Sequence, residues 1–269
     1  MMSEITQKTI DDFGEQWSRY PTNEGYYASD EIFADICGPL LSPEELGGKQ
    51  VAEIGSGPGR IVNMLISAGA SHVIAIEPSE AFSILKRNTE ESAEKIEYLH
   101  ATGEHIPADR NLDYVFSIGV LHHIAEPDPV VRAALQSLRP GGRFLAWLYG
   151  WENNEAYLRI VLPLRRITTR LPAPVLAGIS HVLNALLSVY VGLCRYFPLP
   201  LRGYMTNVFS KFSRQKRFLA IYDQLNPRVA KYYKEDEAKR LLEDSGFVDV
   251  QLYHRHGYSW TVIGTRPGP

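Results

Sequence analysis

Three groups of residues have the types and spacing to do chemistry. The first is a glycine loop framed by acids: Val51-Ala-Glu-Ile-Gly-Ser-Gly-Pro-Gly-Arg60 sets Glu53, Gly55, Ser56, Gly57 and Gly59 together, and Glu77 closes the next apolar run. The second is the pair His122-His123, whose imidazoles titrate near neutral pH and can take a proton from a hydroxyl or amine. The third is the N-terminal stretch Phe13-Gly-Glu-Gln-Trp-Ser-Arg-Tyr20. On a helix it puts Phe13, Gln16, Trp17 and Tyr20 on one face.

The glycine loop can be tested against its candidate ligands. It lies where an apolar strand meets a helix, and the free N–H groups and dipole there favour anionic or polar ligands. A dinucleotide fingerprint needs G-x-G-x-x-G. Here the third glycine, Gly59, comes one residue early, and Arg60 stands where the fingerprint has glycine. No G-K-[ST] follows, so an ATPase-type phosphate loop is excluded. A carboxylate at Glu53 repels a pyrophosphate but accepts hydrogen bonds from an ammonium. An acid at Glu77 can accept both hydroxyls of a ribose. A ribose, an ammonium and no phosphate describe S-adenosylmethionine and not NAD.

The elements that must hold these groups follow from periodicity. Strands are expected at 50–54, 72–76, 95–99, 112–118 and 142–149, with helices at 60–68, 79–90 and 129–138 between them. Leu138-Arg-Pro-Gly-Gly-Arg143 reads as a helix stop and a turn. After Tyr149 the alternation breaks for a helix-rich block. It then resumes with a helix at 235–245 and two strands, 247–254 and 258–265, joined by a tight turn at Arg255-His256-Gly257. The expected organisation is an N-terminal helical lid (1–47), a core made of 48–150 and 223–269, and a helical insertion (151–222).

The 269 residues carry a formal charge of −3 and 45% hydrophobic residues, which suits one large domain and does not point to nucleic acid. The charge is uneven: 151–217 holds ten Lys and Arg against two acids, Glu152 and Glu155. Two distant cysteines, Cys37 and Cys194, argue against a disulfide framework, and the polar N-terminus has no secretory pattern, so a cytoplasmic location is expected. No H-x₃-H or H-E pattern supports a metal. His254 and His256 read as solvated turn residues. Nothing in the chain specifies an oligomeric state.

Within the insertion, Leu171 to Cys194 contains no charged residue, long enough to satisfy a crude span test. Yet His181, Asn184, Ser188 and Gly192 fall on one helical face. Three readings stand: a buried cap over an acceptor pocket, an interfacial helix with Arg165, Arg166, Arg170 and Arg195 towards anionic lipid, or a membrane span. The polar stripe favours the first. Peripheral membrane contact through 171–195 follows from the second. Arg228 and Tyr232, where the chain returns to the core, could hold an acceptor; for Arg228 a surface ion pair is an equal alternative.

"VAEIGSGPGR", "VIAIEPS", "LDYVFSIGVLHHI" and "LRPGGRFLAWLYG", in this order and register, resemble the class I S-adenosylmethionine-dependent methyltransferases, in their small-molecule, methyltransferase-11 group. The resemblance covers roughly 48–150, and 235–266 looks like the family's closing helix and hairpin. It implies an α/β, Rossmann-like seven-stranded sheet: five parallel strands plus a C-terminal antiparallel hairpin, here with a helical cap insertion. It also implies S-adenosyl-L-methionine lying across the sheet end. Glu53, Gly55, Ser56, Gly57 and Gly59 would line its methionine and ribose side. Glu77 would take the ribose hydroxyls, and Pro78 would lie beside the adenine. Many members have aspartate at the position of Thr102, so Gly103 or Glu104 would replace that adenine contact. Ser117 would pass close to the methyl group. The family often has histidine at the position of His123, where it can be a base or a structural cap; His122 is the second candidate base. The stripe on 13–20 then reads as packing or as a lid, with Gln16 or Tyr20 at the methionine end and Trp17 excluding water on the acceptor side. The expected reaction is methyl transfer to a small-molecule acceptor, an oxygen of a hydrophobic or anionic metabolite. The rivals are a non-catalytic cofactor-binding or membrane-associated module and an NAD-dependent oxidoreductase.

Overall fold

The protein was studied as a computed structural model that describes residues 4–268. Seven strands run in chain order: β1 (Gln50–Ile54), β2 (His72–Ile76), β3 (Ile96–Leu99), β4 (Leu112–Ile118), β5 (Leu138–Tyr149), β6 (Val248–Arg255) and β7 (Ser259–Thr265). They form one sheet in the order β3-β2-β1-β4-β5-β7-β6. The first five are parallel, and β7 is antiparallel to both its neighbours.

Alternation along the strands explains the two packed faces. Val51, Val73, Ala75, Phe116 and Leu145 join one core, whereas Ala52, Ile54, Ile74, Val115 and Phe144 join the other. Helices α3 (Arg60–Ser67), α4 (Phe82–Asn88), α5 (Asp128–Ser137) and α10 (Glu235–Glu243) connect the strands. His256 and Gly257 both have positive φ, 50° and 65°, and the Tyr258 N–H donates to the Arg255 carbonyl at 3.0 Å, so the tight turn falls where expected.

Helix and strand ends shift by one to three residues, as at α4 and α10, and two departures from expectation are larger. Strand β5 starts at Leu138 and not after the Pro-Gly-Gly segment, because Leu138 pairs with Leu112 and the irregularity is absorbed between Leu112 and Tyr114. The segment 1–47 is also not simply a lid. Helix α1 (Glu4–Arg19) is a cover, but α2 (Asp30–Cys37) buries Ile32, Phe33, Ile36 and Cys37 in the core of the sheet face.

The insertion comprises α6 (Glu155–Thr168), α7 (Ala173–Cys194), α8 (Arg202–Asn207) and α9 (Arg214–Leu225). Helix α7 turns Leu176, Ser180, Asn184, Val191 and Cys194 inward, and the Asn184 side chain donates to the Arg214 carbonyl at 2.8 Å. The expected buried cap is therefore buried on one face only. The opposite face carries Val175, Val182, Leu186, Val189 and Leu193, each more than 40% exposed. Among the described residues α7 is the one helix long and apolar enough to cross a membrane by length and composition. Arg165 does not belong to a basic rim. It is buried, donating from Nε to the Gln224 carbonyl at 2.7 Å and from a terminal nitrogen to the Tyr232 hydroxyl at 2.9 Å.

Candidate active site

The glycine loop follows β1 because β1 ends beside β2: the N–H groups of Gly55 and Ser56 both donate to the Ile76 carbonyl, at 2.8 and 2.9 Å. Gly55 has φ +78°, and a Cβ there would lie 2.4 Å from a methyl of Val120. Only glycine lets the β1 loop and the β4 loop approach this closely. Glu77 fixes the loop from the other side. One carboxylate oxygen accepts from the Gly57 N–H at 2.7 Å and the other from the Ser79 N–H at 2.9 Å.

A cavity of about 170 Å³ opens over this loop. Its walls hold Glu53, Gly55, Ser56, Gly57, Glu77, Pro78, Thr102, Gly103, Glu104 and His123. Glu53 is 1% exposed, and its Oε2 has no hydrogen-bond partner among the described residues. Burial pushes its carboxyl up to about 8, against the pull of Arg60. An acceptor left without a donor at a cavity wall suits an ammonium.

Helix α1 closes this cavity. Phe13 packs on His123, ring centroids 4.8 Å apart, and Trp17 sits over the loop, its Nε1 3.3 Å from where a Gly57 Cβ would be. Gly14 lets the helix touch Ser79, since a Cβ there would be 3.2 Å from the Ser79 Cβ. The chain after α1 is held by Asn23 and Asn88, whose amides donate to the Pro58 carbonyl at 2.8 and 2.9 Å.

A second cavity, about 690 Å³, lies between the sheet end and α6–α9. It is mostly apolar and aromatic, with Trp147, Tyr149, Tyr157, Leu183 and Phe212 in its walls. Phe13, Trp17, Tyr27, Arg60, Ile118, Gly119 and His123 line both cavities and form the neck between them. Among the titratable groups that face this space are His123 and Asp223. The His123 Nδ1 lies 2.7 Å from the Val229 carbonyl, which can only accept, so Nδ1 carries the proton and Nε2 keeps its lone pair. Burial pushes its pKa down to about 4. Asp223 of α9 accepts from the Gln16 amide, and burial raises its carboxyl to about 7 even with Arg60 and Lys216 nearby.

Residues 52–146 match the family model "Methyltransferase domain". The chain is 35% identical over 130 residues to a ubiquinone biosynthesis O-methyltransferase of Aromatoleum aromaticum, covering 47% of this chain and 55% of that one. It is 32% identical over 117 residues to a tRNA U34 carboxymethyltransferase of Idiomarina loihiensis, covering 42% and 36%. Residues 52–146 are therefore a methyltransferase domain, set in a seven-stranded sheet of the class I kind. The cofactor is S-adenosylmethionine. The chain spans about half the length of the ubiquinone-pathway relatives it matches. In fold, this methyltransferase also resembles the Burkholderia thailandensis 1,6-didemethyltoxoflavin-N1-methyltransferase, solved with 1,6-didemethyltoxoflavin and S-adenosylhomocysteine (TM-score 0.57, 12% identity, 100% of this chain and 92% of that one).

Several expected site residues of the methyltransferase lie away from both cavities. His122 is fully buried with its ring 3.7 Å from that of Tyr149, and it lines neither cavity. Gln16 is turned to Asp223, and Tyr20 packs on Phe218 and Tyr222. Gly59 faces Thr89 and Leu85, and the Ser117 side chain is buried beneath the neck. Arg228 is exposed and lines neither cavity. Tyr232 stands behind the wall, stacked on Tyr149 at 5.3 Å. Sequence reading missed Tyr27, Asp223 and the role of Arg60. Arg60 was visible only as the residue replacing a fingerprint glycine. Here its guanidinium lies 4.3 Å over the Tyr27 ring and close to the carboxylates of Glu53 and Asp223. Among the described residues no group of three or more His, Cys, Asp or Glu could hold a metal.

Proposed function

We propose that this protein transfers the methyl of S-adenosylmethionine to an oxygen of a hydrophobic or amphiphilic small molecule seated in the larger cavity. The observation that carries this reading is the shared neck: the cavity over the glycine loop and the large apolar cavity meet at Phe13, Trp17, Tyr27, Arg60 and His123. When bound, the cofactor supplies a methyl group already activated by its sulfonium. What remains for the chain is to align the partners, exclude water and remove a proton.

Glu53 would hold the ammonium through its unpartnered oxygen, and Glu77 would accept the ribose hydroxyls beside the bonds it already makes to Gly57 and Ser79. A carboxylate offers about four acceptor sites, and the Gly57 N–H, the Ser79 N–H and the Ser79 hydroxyl take three of them, so both ribose hydroxyls are accepted when the Ser79 hydroxyl turns away. Gly103 and Glu104 would meet the adenine edge. Trp17 and Phe13 would exclude water from the neck. For the proton, Asp223 is better matched than His123, because a base is most effective with a pKa near the working pH. His123 would then orient the acceptor hydroxyl through Nε2. An oxygen acceptor agrees with the ubiquinone-pathway relatives, which are O-methyltransferases by name. The tRNA-directed relative is a weaker guide, since the cavity is apolar and the net charge is −3.

Two measurements test this. Calorimetry should show binding of S-adenosylhomocysteine and none of NAD; no heat with S-adenosylhomocysteine overturns the reading. Incubation with S-adenosylmethionine and a panel of prenylated phenols, catechols and fatty acids should give an O-methylated product by mass spectrometry. Binding without turnover across phenolic, carboxylic and amine acceptors would leave the non-catalytic module as the better account.

A further inference from the structure

We infer that the outer face of α6 and α7 docks on an anionic membrane surface and that the acceptor cavity opens into that face. The acceptor is then an amphiphile dissolved in the bilayer. This inference rests on the methyltransferase reading for the identity of the cavity, but the docking surface stands on its own observations.

The first observation is the stripe. Val175, Val182, Leu186, Val189 and Leu193 recur at helical spacing on the side of α7 away from α9, and all are exposed. Ile160 and Ile167 of α6 are 71% and 62% exposed, and Tyr196 and Phe197 continue the surface beyond α7 at 82% and 54%. Isolated exposed apolar residues are ordinary, but five on one face of a single helix are not.

The second observation is where the cavity ends. Ile160 and Leu186 are among the most exposed of these residues and also line the larger cavity. One side chain on α6 and one on α7 therefore mark its mouth, and that mouth lies within the apolar surface. An acceptor passing from a bilayer would reach the neck without crossing water.

The third observation is charge. From Ala156 to Tyr222 the chain has ten Lys and Arg and no Asp or Glu, although the whole molecule is acidic. Arg159, Arg166, Arg170 and Arg195 are exposed, and none forms an ion pair among the described residues. An apolar stripe with basic residues beside it matches an interface-lying helix, and each basic side chain near an anionic surface contributes roughly a five-fold factor to partitioning. The span reading is disfavoured, because the inner face of α7 buries Ser180 and Asn184 and bonds to α9.

The test uses the full chain and vesicles of pure phosphatidylcholine or of phosphatidylcholine with phosphatidylglycerol. The protein should sediment with the anionic vesicles, at least ten-fold more than with the neutral ones, and lose most of that binding in high salt. The double variant Val182→Asp/Val189→Asp alters exposed positions that line neither cavity. It should lose vesicle binding while its melting temperature and S-adenosylhomocysteine affinity stay unchanged. Arg166→Glu/Arg170→Glu should weaken anionic binding more than ten-fold. Absence of binding to either vesicle by a protein that still binds S-adenosylhomocysteine overturns the docking. So does a stable dimer in sedimentation that the Val182→Asp/Val189→Asp variant dissociates, because a second copy then covers the stripe. Vesicle binding by a protein that fails to bind S-adenosylhomocysteine would instead overturn the methyltransferase reading and leave the docking intact.

Discussion

The Gln16 amide donates to the Asp223 carboxylate, and this bond joins α1, which covers the cofactor cavity, to α9, which walls the acceptor cavity. The residues are 207 apart in sequence. The bond fixes the carboxylate while leaving its second oxygen for another donor. It also couples the position of the lid to the side that receives the acceptor.

Asp223 should therefore control the proton. As a base it must be ionised, and burial holds its carboxyl at about 7, so kcat/KM should rise with pH through that value. Asp223→Asn should lower kcat by about 100-fold or more and flatten that limb, with S-adenosylhomocysteine affinity unchanged. If His123 is the base, the limb lies near pH 4 and His123→Ala removes it, leaving Asp223→Asn active.

Glu53 is predicted to be a cofactor ligand. Its Oε2 is buried without a hydrogen-bond partner, so Glu53→Gln removes the negative charge that an ammonium would draw out on binding. Hydrogen bonds to charged groups contribute ~1.5–3 kcal/mol, which corresponds to a roughly 10- to 100-fold loss in S-adenosylhomocysteine affinity. Calorimetry on the folded variant checks this, and an unchanged Kd would return Glu53 to a purely structural role.

The contrast between Glu53 and Asp223 shows what the sequence could disclose. Glu53, the glycines and Glu77 belong to one strand–loop–helix unit and its neighbour strand, whose register follows from local periodicity. So does the seven-stranded sheet. Asp223 and Tyr27 reach the site only through packing of distant helices, and nothing nearby in the chain marks them. The lid stripe was half legible for the same reason. Helical spacing grouped Phe13, Gln16, Trp17 and Tyr20, but the widths of the neighbouring elements decide that Phe13 and Trp17 meet the cavity while Gln16 meets α9. His122 and His123 are adjacent and identical in type, and only the turn after β4 separates them into a core residue and a neck residue. Helix α7 has no charge to show which face is outside, so its exposed stripe emerged only in three dimensions.

Trp17 should matter to both ligands, since it touches the loop and lines both cavities. Trp17→Ala removes the indole that excludes water from the neck. Its expected effect is a Kd for S-adenosylhomocysteine raised about ten-fold, equal to ~1.4 kcal/mol, and a lower kcat through water admission. The melting temperature should change little, because the side chain lies over a cavity and not in the sheet core. No change in either affinity or turnover would exclude the lid.

The pH dependence of stability provides a separate check on the buried groups. Glu53 has a folded pKa of about 8, raised by burial above the ordinary carboxylate value. A raised carboxylate leaves the native state holding a proton that the unfolded chain has released, so stability falls as pH rises towards that pKa. The histidines act in the opposite direction. His123 at about 4, and His122 also well below its ordinary value, are neutral when folded and must charge on unfolding, so stability falls as pH drops below about 6.5. Asp223 adds to the first effect between its unfolded value and about 7. The ligand-free protein should therefore lose melting temperature as pH rises from about 6.5 to 8, and the Glu53→Gln variant should lose most of that slope while keeping the acid-side fall. A ligand placing an ammonium beside Glu53 would favour its charged form, so S-adenosylhomocysteine should raise the melting temperature more at pH 8 than at pH 6.5. Equal stabilisation by the ligand at the two pH values would mean that the ammonium does not sit at Glu53.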